Sequence, residues 1–169
     1  MTERWAKRRW ARSAWGRTRR TGGKKGRKCS LLVDARGVPL SIVASGANVH
    51  DVKLLAQTLD AIVVERPAPD DDNLQHLCAD AGYVGKDALT AIWVRNYEPH
   101  IRPRNKEAEQ KRTEAGFKAR RWVVERSHSW FNGYRKILVS FEKTEASFVA
   151  LLYLASALTS WRQTLTICG

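Results

Sequence analysis

Two β-rich runs, CSLLV and VPLSIVA, are separated only by the turn DARG at residues 34–37. A link that short folds the second run back on the first as an antiparallel hairpin. SGANVHD then interrupts the strand pattern, and DVKLLAQTLDAIVV follows, with Leu55, Leu59, Ile62 and Val63 at helical spacing and Asp51 placed to cap the helix. His50 beside Asp51 could suggest chemistry, but a helix-entry turn explains the pair better. ERPAPDDDNLQ is a polar Pro/Asp loop. HLCA predicts a short strand, GKDALTAIWVRN a helix, and EPHIRP another strand. Residues 102–120 are densely charged without apolar periodicity and predict a loop. A long helix is expected over about 117–141, and EASFVALLYLASALTSWRQTL predicts a last helix. The order β-β-α-β-α-β-α-α implies an α/β fold, a mixed sheet flanked by helices.

Charge divides the chain. Residues 1–28 contain 12 Lys/Arg and one acid, whereas the remaining 141 residues contain 18 Lys/Arg and 16 acids. Most of the net +13 therefore belongs to a basic arm, expected to be disordered, ahead of a nearly neutral domain at 29–169. Such an arm suits a polyanion, because neutralising phosphates releases condensed counterions; a solvated tail is the plainer reading. Trp5, Trp10 and Trp15 recur every five residues and make no single helical stripe. They could stack on bases, or reflect an arm without evolved structure.

Three cysteines with no CxxC pair argue against structural zinc and for a reducing compartment. There is no secretory signal pattern, and the apolar run FVALLYLASAL is too short to span a bilayer. The expectation is a soluble cytoplasmic protein. Cys78 is expected to be a small core residue, and His76, at the start of a strand, receives no role.

Two acids stand out. Asp80 follows the strand HLCA, and ligands in α/β sheets gather beyond the carboxyl ends of strands; a turn or cap residue ahead of Gly82 is the structural alternative. Glu125 lies inside a helix, where Arg121, Glu125, His128 and Asn132 fall on one face. An Arg121–Glu125 ion pair is the bland account. It leaves Arg126, His128 and Arg135 without a role, whereas a carboxylate ringed by phosphate-binding groups suits a divalent metal on nucleic acid. His128 could touch phosphate or position the carboxylate.

LLVDARGVPLSIVASGANVHD, LCADAGYVGK and ARRWVVERSHSWFNGYRKILV occur in that order. Together they resemble the C-terminal catalytic half of bacterial insertion-sequence DDE transposases of the IS-four/IS-five supergroup, over roughly residues 28–163. The resemblance implies an RNase H-like fold, metal-dependent DNA strand cleavage and transfer with Mg²⁺ or Mn²⁺, and work in the bacterial nucleoid. It implies double-stranded DNA at insertion-sequence ends as partner, bound by a homo-oligomer. It places the second catalytic Asp on Asp80 and the catalytic Glu on Glu125, both as metal ligands. Arg121 matches the family's Arg-x-x-x-Glu arginine and Phe117 the aromatic before it. Arg121, Arg126, His128, Arg135 and Lys136 are the DNA-binding expectations.

The match departs in two places. The family's first catalytic Asp lies on the strand before the hairpin, yet residues 1–28 contain no Asp and no strand pattern. Asp34 is nearest, but it begins a turn. Asn132 stands where the family has a basic residue, so Arg135 or Lys136 would substitute. The first strand is therefore expected to be missing, in a truncated or frame-shifted product that cleaves poorly. Two other classes stand beside this one. One is a DNA-binding protein without catalysis that uses the arm and the 102–120 loop. The other is a module that modulates a full-length transposase through Phe148, Leu151, Leu152, Ala155 and Leu158, residues that otherwise form core.

Overall fold

The structure is a computed structural model, and it describes residues 4–7, 26–70, 74–101, 121–139 and 141–168. The fold is mixed α/β, with small sheets and helices. Strands β1 (Arg4–Lys7), β2 (Gly26–Val33) and β3 (Pro39–Gly46) form an antiparallel sheet in the order β1-β2-β3. Helix α1 (Asp51–Asp60) follows, then β4 (Gln75–Ala79), a 3-10 turn at Ala81–Tyr83, α2 (Lys86–Trp93) and β5 (Tyr97–Ile101). β4 and β5 pair in parallel as a second sheet. Helices α3 (Arg121–Asn132), α4 (Arg135–Val139) and α5 (Glu145–Cys168) complete the described chain.

The hairpin forms as expected, and its tip shows why. Asp34 Oδ1 accepts the backbone N–H groups of Arg36 at 2.9 Å and Val38 at 2.8 Å, a side-chain-closed turn. Gly37 takes φ +84°, a left-handed conformation that favours glycine. Asp34 therefore serves the turn.

β2 organises the rest, because alternate residues of a strand face opposite sides. Lys28, Ser30 and Leu32 face α1, and Leu32 joins a core of Leu55, Leu59, Leu77, Tyr83, Ala88 and Ile92. Arg27, Cys29 and Leu31 face the C-terminal helices. There Leu31 and Ile42 join Val124, Phe131, Phe148, Leu152 and Ala155, with Cys29 packed alongside. Burial outweighs the charge of nearby Arg27 and pushes the Cys29 thiol up to about 12.

Several expectations change here. A strand does precede the hairpin: Arg4–Lys7 lies inside the arm and pairs with Lys7 opposite Gly26. Lys28 and Arg27, counted with the arm, are 3% and 1% exposed. Lys28 pairs with Asp51 and donates to the Val49 carbonyl at 3.0 Å. Arg27 donates to the Glu142 carbonyl at 2.9 Å and lies over the Phe148 ring at 4.0 Å. Their long stems carry the charge across apolar surface to a fixed acceptor. Asp51 begins α1, but His50 occupies the cap position, without a side-chain bond. That helix stops at Asp60, leaving Val63 exposed.

The expected long helix is broken. It closes at Asn132, where Gly133 and Tyr134 donate to Trp130 and Phe131, three residues back. Glycine is a poor helix former, and such bonds tighten a last turn. α5 starts with Thr144 Oγ1 accepting the Ser147 N–H at 3.1 Å, an N-cap bond. Phe148, Leu152 and Ala155 are core, whereas Leu158 is 41% exposed. Among the described residues no helix is long and apolar enough to cross a membrane. Phe117, the 102–120 loop, Trp10 and Trp15 lie outside the described residues, as does the side chain of Arg121.

Candidate metal and nucleic-acid site

Asp80 sits where β4 ends. Its Oδ1 accepts the Ala81 N–H at 2.6 Å and starts the 3-10 turn, so the cap reading holds for one oxygen. The residue is half-buried. Tyr83, at the end of that turn, is 5% exposed and bonds to Ser30 on β2. Burial, aided by the negative charge of Asp80, pushes the Tyr83 hydroxyl up to about 12 although the Ser30 bond opposes it. The Asp80 carbonyl accepts the Tyr83 N–H at 2.9 Å, so Asp80 is linked to β2 through Tyr83 and Ser30. Thr58 Oγ1 lies 2.9 Å from Ser30 Oγ and 2.7 Å from the Leu54 carbonyl. A carbonyl can only accept, so the Thr58 proton goes to Leu54. Ser41 donates to the Thr58 carbonyl at 2.6 Å.

Glu125 is exposed on α3, a helix whose buried residues Val124 and Phe131 belong to the other core. The single face expected for Glu125 and His128 is not uniformly open, because His128 is only 7% exposed. Arg126, expected at DNA, is half-buried, donates to the Arg36 carbonyl and stacks on Trp130 at 5.0 Å. Ser127 Oγ, fully buried, donates to the Gly37 carbonyl at 2.6 Å. These two residues grip the hairpin tip, and a Cβ on Gly37 would stand 2.9 Å from Ser127 Oγ. Sequence reasoning missed this grip; the adjacent Arg-Ser pair and the Gly of DARG were its only traces. Arg135 and Lys136 are exposed on α4.

Carboxylate oxygens are the right donors for a hard divalent cation, and Asp80 and Glu125 are the two acids the sequence singles out for that role. Among the described residues no group of three or more His, Cys, Asp or Glu is gathered to hold a metal. The strand before the hairpin, RWAK, contributes no acid.

Cys78 departs from expectation. It is exposed, because β4 turns Leu77 inward and His76 and Cys78 outward. His76, given no role from sequence, lies with Nδ1 2.8 Å from His100 Nε2.

The sequence profile of the Transposase DDE domain family matches residues 4–160, which includes β1 ahead of the hairpin. A protein of Burkholderia cepacia assigned as transposase for insertion sequence element IS402 is 34% identical over 149 residues. That alignment covers 82% of this chain and 64% of the relative, so the chain spans a little under two thirds of that protein's length. No solved structure matches the chain. With the profile running from β1 into α5 and the relative 34% identical over the aligned 149 residues, the chain belongs to the DDE-domain transposase family.

Proposed function

We propose that this chain contributes an RNase H-like catalytic domain for DNA strand cleavage and transfer at insertion-sequence ends, acting as a homo-oligomer on double-stranded DNA. The observation that carries this reading is the pair of acids in family context: Asp80 at the end of β4 and Glu125 exposed on α3. Asp80 and Glu125 would hold Mg²⁺ or Mn²⁺, which when bound supplies activation of a nucleophilic oxygen and stabilisation of the leaving one. Asp80 is oriented by its bond to Ala81 N–H. Arg121, Arg135 and Lys136 bind the phosphate backbone, fixing register rather than reading bases. His128 and Arg126 act as positioning residues: burial suits His128 to supporting Glu125, and the Arg126 grip fixes the height of α3.

A strand without a carboxylate ahead of the hairpin favours weak cleavage, since a two-metal site lacking one acid loses affinity and geometry. The same observation favours a second reading, DNA binding without cleavage. Mn²⁺ binding followed by electron paramagnetic resonance, beside nicking of DNA carrying the element's ends, tests both. The first reading expects Mn²⁺ binding that Asp80→Ala and Glu125→Ala each abolish, with slow nicking. Mn²⁺ binding indifferent to both substitutions sinks the site. Salt-sensitive DNA binding with neither Mn²⁺ binding nor nicking selects the second reading. Rapid nicking abolished by Asp80→Ala keeps the site and removes the claim of weak cleavage.

A further inference from the structure

All four outward positions in the middle of the β4–β5 pair carry donors that bind metals: His76 and Cys78 on β4, Glu98 and His100 on β5. Parallel strands are ordinarily covered on both faces, yet these four side chains are exposed while Leu77 beneath them is buried. The register puts Cys78 directly opposite His100 and Glu98 directly opposite His76. His76 and Cys78, two residues apart on one strand, and His100 on its neighbour therefore form a triangle on one surface.

The imidazoles already converge. His76 Nδ1 and His100 Nε2 stand 2.8 Å apart, with ring centroids 4.8 Å apart and planes inclined at 62°. At that separation one nitrogen must carry a proton, or a cation must lie where the two lone pairs meet. Exposed to water, neither ring needs the other, so a mutual hydrogen bond contributes little. In a tetrahedral zinc centre two ring nitrogens lie on the order of 3.3 Å apart, so the rings have only to open by a fraction of an ångström. As the side chains stand only the two rings are gathered; Cys78, opposite His100 in the register, would have to turn toward them on binding.

We infer that the outer face of β4–β5 is a site for a zinc-class divalent transition metal, held by His76, His100 and the Cys78 thiolate. Imidazole and thiolate select such metals over Mg²⁺, which prefers oxygen. The site is thus chemically separate from Asp80 and Glu125. A metal there clamps two strands that, among the described residues, form a two-stranded sheet. Asp80 lies two residues beyond Cys78, so the clamp fixes the strand end from which that acid projects.

The test titrates the whole chain, stripped by chelation, with Co²⁺ alone and then Zn²⁺ alone. One equivalent of Co²⁺ is expected to give a tetrahedral d–d spectrum with a thiolate charge-transfer band, both displaced by Zn²⁺, and Zn²⁺ is expected to raise Tm. His76→Ala and His100→Ala each weaken binding by about tenfold or more, as do His76→Gln and His100→Gln. Cys78→Ser removes the charge-transfer band, and Asp80→Ala leaves the spectrum unchanged. Circular dichroism checks that each variant is folded, as expected for exposed positions. The proposal is overturned if no tetrahedral spectrum forms, if folded histidine variants keep full affinity, or if the charge-transfer band survives Cys78→Ser.

Discussion

The two sides of β2 are built differently although neighbouring residues of one strand supply both. On the α1 side, Lys28, Ser30 and Leu32 meet Asp51, Thr58 and Leu55, so the interface mixes an ion pair, a hydroxyl ladder and aliphatic packing. On the C-terminal side, Leu31 meets Phe148, Leu152 and Phe131, and the one large charge, Arg27, lies flat on an aromatic ring. The polar side positions Asp80 through Tyr83 and Ser30, and the apolar side carries the helix of Glu125. Directional bonds fix a single geometry, whereas apolar contacts supply most of the stabilisation without direction. The two candidate metal ligands are therefore held by different physics.

The largest expected effect is on the apolar side. Phe148→Ala leaves a cavity and strips Arg27 of its ring, and should cost about 3–5 kcal/mol in urea unfolding. Leu55→Ala on the polar side should cost about 2–5 kcal/mol, and the double variant should be additive within about 0.5 kcal/mol if the cores are independent. A larger departure would mean one continuous core and break the contrast.

Lys28→Met comes next: it abandons Asp51 beside a buried surface and should cost about 3 kcal/mol or less, since that carboxylate keeps some contact with water. An unfolding free energy equal to wild type would show the pair to be dispensable.

Alkaline titration probes both sides at once. Cys29, ordinarily near 9.0, and Tyr83, ordinarily near 10.0, are both pushed up to about 12, so between those limits the unfolded chain has lost protons that the folded chain keeps. Stability should fall as pH rises from about 9 to 12, and Cys29→Ala with Tyr83→Phe should flatten that fall in Tm against pH. The smallest effect on folding belongs to the exposed residues. Arg135→Ala and Lys136→Ala should change stability by less than about 0.5 kcal/mol, yet each should lower the salt dependence of DNA binding by about one counterion. A salt slope unchanged in both would remove α4 from the interface.

What could be read in the chain beforehand follows from range. DARG, the helical spacing of Leu55 and Leu59, and the run LCADAGY act within a few residues, and the hairpin, α1 and the strand before Asp80 stand where those signals put them. Arg27 and Lys28 were illegible because their partners, Glu142 and Asp51, lie far along the chain. Composition assigned both to a solvated arm. Gly133 marked the break before α4, but the apolar residues continuing past it masked the signal. Strand β1 was missed because RWAK shows no apolar alternation, and its place comes from pairing with β2. As for the candidate site, Asp80 and Glu125 were visible as isolated acids. The exposure of Cys78 and the approach of His76 to His100 depend on how β4 and β5 align.

The grip of α3 on the hairpin tip turns loop length into a gauge. Arg126 and Ser127, immediately after Glu125, hold consecutive peptide carbonyls at 36 and 37. Lengthening Asp34–Val38 by one residue would shift those carbonyls, and the helix could keep hold only by rotating or sliding. The count of atoms in a surface turn thereby calibrates where a carboxylate on another element stands.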